Sequence, residues 1–177
     1  MVKAHNIRTE EIARIRVEAP YETVCLGTKL PATTEEAQFN LAWPLAALLI
    51  DGEVGPAQMP GYRFGDQRIR SLVEKIELVE SEELNELYRL AITGDPQGKY
   101  ASVVTIMLTD GRTFKSGIVE GDINYPQEGW DEDRIEDKFR WLTRYVVDGA
   151  RSDELVEAVW HFEQVQNVSE FVEKRLS

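Results

Sequence analysis

Cysteine is all but missing from this sequence. Cys25 stands alone among 177 residues, so no internal disulfide can form. A reducing compartment fits that usage, and a cytoplasmic location is the expectation. Histidine is nearly as scarce. His5 and His161 lie far apart, and no His/Cys cluster has zinc-ligand spacing, so no metal site is expected. Long apolar runs are missing too. The longest, Leu41 to Ile50, is interrupted by Pro44 and is too short to span a bilayer. No apolar signal core follows the N-terminal Met1 to Arg8. Positive charge is in short supply: 20 basic residues face 32 acidic ones, for a net charge of −12. Phosphate backbones and anionic lipid surfaces are repelled by that surplus, so neither nucleic acid nor membrane is an expected partner. Gly-x-Ser-x-Gly, Gly-rich phosphate loops and Gly-x-Gly-x-x-Gly do not occur.

What remains is ordinary globular material. The chain is 42% hydrophobic and 29% charged, and its length suits one domain spanning residues 1–177. In residues 12–18, Ala13, Ile15 and Val17 alternate with Arg14, Arg16 and Glu18, the period of a strand with one wet face. Pro20 ends it. Tyr21 to Leu26 is a short helix or a strand, with helix preferred. Thr33 and Glu36 have capping-box spacing. Asn40 reads as the cap of a helix reaching Asp51, with Pro44 in its first turn and Gly52 at its end. That helix is apolar nearly all round and is expected to be buried.

Asp66 and Ser81 read as caps of two further helices, separated by a strand at Ile76 to Val79. Tyr100 to Thr109 and Arg112 to Val119 are rich in β-branched residues, and Asp110-Gly111 between them predicts a hairpin with a type I′ turn. Asp131, Ser152 and Ser169 are the expected openings of three closing helices. The loops at 53–65, 94–99 and 121–130 are candidate linkers, none long enough to suggest a domain boundary. The sum is an α+β fold: a small, mainly antiparallel sheet with a central β-hairpin, packed with helices.

The residues offer little chemistry. The carboxylates gather on solvated helix faces, as in Glu35-Glu36 and Glu82-Glu83, with nothing to push two pKa values apart. No hydroxyl or thiol has an evident base beside it. No catalytic residue is assigned. Phe39, Asn40, Trp43 and Tyr125 form an aromatic group near a helix start and are the candidates for a cleft- or partner-facing surface; Phe39 and Trp43 equally suit the core.

One run says more. Residues 37–52, Ala-Gln-Phe-Asn-Leu-Ala-Trp-Pro-Leu-Ala-Ala-Leu-Leu-Ile-Asp-Gly, resemble the segment opening the buried helix of the C-terminal domain in the MmgE/PrpD family. That family includes 2-methylcitrate dehydratase, cis-aconitate decarboxylase and iminodisuccinate epimerase. Other pieces follow in the family's order: His5-Asn6-Ile7, Glu11 to Val17, the strand with Asp110 to Phe114, Tyr125-Pro126, Lys138-Phe139 and Asn167-Val168-Ser169.

The resemblance implies a lid domain. Family members pair it with a large helical N-terminal domain that carries most of the catalytic His, Lys and Asp residues, and this chain is expected to correspond to the lid alone, with that domain absent. It also implies lyase or isomerase chemistry on a small di- or tricarboxylate without a cofactor, begun by removing a proton beside a carboxylate. The chain alone is expected to be inactive and to need a helical catalytic domain or subunit of the same family; a homo-oligomer is a further possibility. Many members carry tyrosine where Trp43 stands, and indole, a donor only, is no acid near neutral pH. The loop after Tyr125-Pro126 reads Gln127-Glu128-Gly129-Trp130, where relatives often have Gly and basic residues. The competing readings are a non-catalytic binding domain and a truncated remnant of the family.

Overall fold

The computed structural model of the chain describes residues 1–121 and 131–175. The chain divides into two compact units, Met1–Asn124 and Tyr125–Ser177, and the division falls within the third of the predicted loops.

The first unit is α+β. Strand β1 (Ile12–Ala19) leads to helices α1 (Tyr21–Val24), α2 (Thr34–Gln38), α3 (Ala42–Asp51) and α4 (Gln67–Val73). Strand β2 (Ile76–Glu80), helix α5 (Glu82–Ile92) and the hairpin β3 (Ala101–Leu108) with β4 (Thr113–Glu120) complete it. The sheet order is β2-β1-β3-β4. Two pairings are antiparallel, as expected, but β1 and β2 run parallel, so the sheet is mixed. A parallel neighbour needs a long crossover, and α1 to α4 supply it. The hairpin also sits to one side rather than centrally, with β4 as an edge strand.

A bulge corrects the predicted face of β1. Its pairing with β3 slips between Ile12 and Arg14, leaving Ala13 as the extra residue. Ala13 is therefore exposed, and Ile12 joins Ile15 and Val17 in the core. The core gathers these with Trp43, Ala46 and Ala47 of α3, Ile69, Leu72 and Val73 of α4, and Ile106 and Leu108 of β3. Full burial of each large aliphatic side chain contributes about 1.5–3 kcal/mol. Helix α5 packs against β1 and β3 with Leu84 inward.

The caps follow the sequence closely. Thr33 Oγ1 accepts from Glu36 N–H at 3.2 Å, while Glu36 reaches back to Ala32 N–H at 2.7 Å, one residue beyond the expected target. Asp66 and Ser81 accept from Arg68 and Leu84 N–H. Gly52 closes α3 with its N–H on the Leu48 carbonyl at 2.9 Å.

The hairpin turn is not type I′. Gly111 has φ +90°, but Asp110 is not among the positive-φ residues. Gly111 N–H bonds the Leu108 carbonyl (3.0 Å) and Leu108 N–H the Arg112 carbonyl (2.9 Å). Those bonds define a three-residue loop, a type I turn followed by a left-handed glycine. Asp110 Oδ1 accepts from Arg112 N–H (3.0 Å), a bond that suits the right-handed conformation at Asp110.

The second unit holds α6 (Glu132–Thr143), α7 (Gly149–Trp160) and α8 (Val168–Arg175). Asp131 caps α6 as predicted. Helix α7 begins earlier than predicted: Asp148 accepts from Arg151 N–H at 2.8 Å, and Ser152 lies inside the helix, buried beside Arg140. Likewise Asn167, not Ser169, caps α8.

Candidate functional site

The four candidate residues separate. Asn40 sits just before α3, 8% exposed, with its carbonyl oxygen on Trp43 N–H at 2.7 Å. Its amide donates to the Lys29 carbonyl at 2.8 Å. Trp43, in the first turn of α3, is fully buried. Its indole N–H donates to the Gln58 carbonyl at 3.1 Å, and its ring meets Phe64 edge-on with centroids 5.2 Å apart. The indole's single donor is used within the unit, and its faces contribute to the core. Phe39 is the opposite case, 73% exposed where α2 ends. Tyr125 lies outside the described residues.

A polar brace backs Trp43. Buried Gln58 donates to Asp51 at 3.1 Å and accepts from Gly55 N–H at 2.9 Å. Arg63 pairs with the same Asp51 oxygen at 2.7 Å. Asp66 accepts from Arg68 and holds its carboxyl well down, at about 2, chiefly through that hydrogen bond. Glu11 and Asp110 are likewise pushed below the usual carboxylate range, Glu11 by the Arg8 side chain and Asp110 by the Arg112 backbone N–H. A general acid needs displacement the other way. These carboxylates therefore serve as fixed anions in caps and ion pairs.

Two apolar spaces lie apart from the four candidate residues. Helix α3 is not buried all round: Leu48 is 44% exposed, and Leu45, Leu49 and Ile50 are only partly covered. With Ile15, Val104 and Val119 they line an open groove of about 1030 Å³, mostly apolar, with Lys3, His5 and Lys115 at its margin. His5 stacks on Phe114 with centroids 4.6 Å apart, fixing the N-terminal turn at one end. The signal was present in α3 itself, whose apolar excess is larger than one covered side requires. The second unit has its own apolar hollow of about 170 Å³ between α6 and α7, lined by Ile135, Phe139, Leu155, Val156 and Val159. Trp160 closes it through a 2.7 Å hydrogen bond to Glu136.

Among the described residues, no group of His, Cys, Asp and Glu could hold a metal ion. Nor is any helix there long and apolar enough to cross a membrane.

No curated protein matches the chain. The MmgE/PrpD C-terminal domain, however, matches residues 1–162, nearly the whole length, and the chain belongs to the MmgE/PrpD family as its C-terminal domain.

Proposed function

We propose that this chain is the lid of a lyase or isomerase acting on a small di- or tricarboxylate, completed by a helical partner of the same family. The partner supplies the base and the cationic groups that stabilise charge developing beside a substrate carboxylate. The chain contributes the cover that closes the cleft and excludes water.

The observation that carries this reading is the open groove along α3. Leu48 and Val119, on α3 and β4, are 44% and 51% exposed and face a common apolar space. Exposed apolar surface of this kind marks an interaction site. The downward-shifted carboxylates agree, since none of them is poised to move a proton at neutral pH. Phe39 adds an exposed aromatic at the end of α2, beside the capped start of α3. The cleft-facing role is proposed for Phe39 and, from the sequence, for Tyr125, while Asn40 and Trp43 fix the start of α3.

The test is reconstitution. A helical MmgE/PrpD chain encoded near this one is co-expressed with it, and 2-methylcitrate, cis-aconitate and iminodisuccinate are offered to each chain and to the pair. Turnover by the pair alone is expected. Turnover by this chain alone, or a pair that neither co-purifies nor reacts, overturns the reading and favours a non-catalytic binding domain.

A further inference from the structure

The second unit carries a face that the lid reading does not use. Helices α6 and α7 run antiparallel: Glu136, early in α6, meets Trp160 at the end of α7, and Arg140, later in α6, meets Asp153 early in α7. Apolar residues recur along both. Ile135, Phe139 and Leu142 are spaced by four and three on α6, and Leu155 and Val159 by four on α7. Such spacing draws one apolar stripe along each helix. The hollow of about 170 Å³ lies between the two helices.

Little within this unit covers that face. Among its described residues only Ser152 and Leu155 are buried, while Ile135, Leu142, Val146, Val159 and Trp160 are exposed. Units of roughly 60 residues or fewer are marginal unless something else covers their apolar side. The lining of the hollow points to the kind of cover. Glu136 is the one charged residue there, and both its oxygens are used, one by the Trp160 indole at 2.7 Å and the other by Arg140 at 3.2 Å. A small-molecule site presents a few polar groups that orient its ligand, and this hollow has none to spare. Apolar side chains are the fitting occupant.

The same face carries side chains able to fill such a hollow. Val159 is 60% exposed and Ile135 is 44% exposed, one on each helix beside it. A surface with both a hollow and the groups that fit one pairs with itself about a twofold axis. The Arg140 and Trp160 bonds hold the hairpin in advance, which lowers the ordering cost of association. Each helix has 12 residues, about 18 Å of length. Pairing two faces, each two helices wide, buries on the order of 1,000 Å² in total, the low end for a specific interface.

We propose that the α6–α7 hollow is covered by the same hairpin of a second copy, giving a four-helix dimer with Ile135 and Val159 at its centre. The contact belongs to the second unit alone. It depends neither on the proposed reaction nor on the groove along α3. An interface of this size is reversible, so the chain passes from monomer to dimer as its concentration rises.

Sedimentation of the full chain over a concentration series tests this. A monomer–dimer equilibrium with Kd on the order of 10 μM is expected. Val159→Asp and Ile135→Asp each place a charge at the centre and should raise that Kd at least about tenfold. Both side chains are exposed, so helix content and melting temperature should stay near the parent's. Leu48→Asp, in the groove of the first unit, should leave the equilibrium unchanged. A mixture of isotope-labelled and unlabelled parent chains should show NOEs between the Ile135 and Val159 methyls of different copies, a readout that needs no variant to fold. A chain still monomeric at about 500 μM, far above that Kd, overturns the proposal. So do a dimer indifferent to both aspartates, a dimer lost in Leu48→Asp instead, and NOEs from Ile135 confined to one chain. A helical chain of the family that displaces the second copy from this face would make that chain the occupant and overturn it too. The lid reading is judged apart from this, by turnover of the reconstituted pair.

Discussion

Asn40 and Trp43 are joined by a 2.7 Å hydrogen bond, from the Trp43 backbone N–H to the Asn40 side-chain oxygen, that caps α3 while the Asn40 amide holds Lys29. One buried side chain thus starts a helix and fastens a loop. Asn40→Ala removes both and should cost about 1–3 kcal/mol. Asn40→Asp keeps the cap acceptor, loses the bond to Lys29, and should fall between. Urea denaturation orders the three proteins; equal loss in Ala and Asp variants would show that capping is not what Asn40 contributes.

The sequence groups Trp43 with Phe39, and the fold gives them separate positions, one buried and one exposed. Trp43→Ala should destabilise the chain by about 3–5 kcal/mol, as truncation of a core tryptophan does. Phe39→Ala should stay within about 0.5 kcal/mol of the parent. Capture of a helical partner should reverse the ranking: Phe39→Ala and Leu48→Asp should weaken it with the fold unchanged. Stable variants that still capture the partner fully would place the contact elsewhere.

Much of this was legible because it is local. Thr33, Asp66, Ser81 and Asp131 cap through their own next turn, and sequence spacing suffices to find them. The errors have non-local causes. Period-two counting puts Ala13 inward, since it cannot see a bulge set by the partner strand β3. Ser152 suits a cap by residue type, but Asp148, four residues earlier, suits it equally and takes the role. The parallel pairing of β1 with β2 depends on where a crossover returns. The groove along α3 depends on which helices cover which strands. Neither fact has a periodicity.

Gly111 and Asp110 separate the two turn types. Gly111→Val forces a β-branched residue to φ near +90° and should cost more than about 1 kcal/mol, with no steric neighbour to blame. Asp110→Ala places no side chain at positive φ and loses only the exposed bonds from the Arg112 backbone N–H and guanidinium, about 1 kcal/mol or less. A type I′ turn would penalise both positions for strain. Comparable large losses at both, at an unchanged denaturant slope, would restore that assignment.

Asp66 links stability to acid. Its carboxyl is held at about 2, below its ordinary 3.8, first by the Arg68 side chain. A group with a lowered folded-state pKa stabilises fully above its unfolded pKa, and that contribution is lost as pH falls through the folded value. The loss from Asp66 should therefore lie between about pH 4 and pH 2. Asp66→Asn keeps an acceptor for the cap but cannot titrate. The gap between its melting temperature and that of the parent should narrow over that window, and a constant gap would deny the linkage.

The position of β1 has a consequence for how the chain reaches its native state. It comes first in sequence, yet it is an interior strand, with β2 on one side and β3 on the other. Its register partners are distant: Ile15 pairs with Ile76 and with Ile106. During synthesis β1 leaves the ribosome with its ladder groups unpaired until most of this unit has followed. Neither pairing can be closed by a local turn, so loop closure precedes any gain from the sheet. Folding of this unit should be slow for its size, in the roughly millisecond-to-second range of non-local topologies. The hairpin of β3 and β4 is the part able to form by itself, and it provides the edge on which the earliest strand of this unit is finally received.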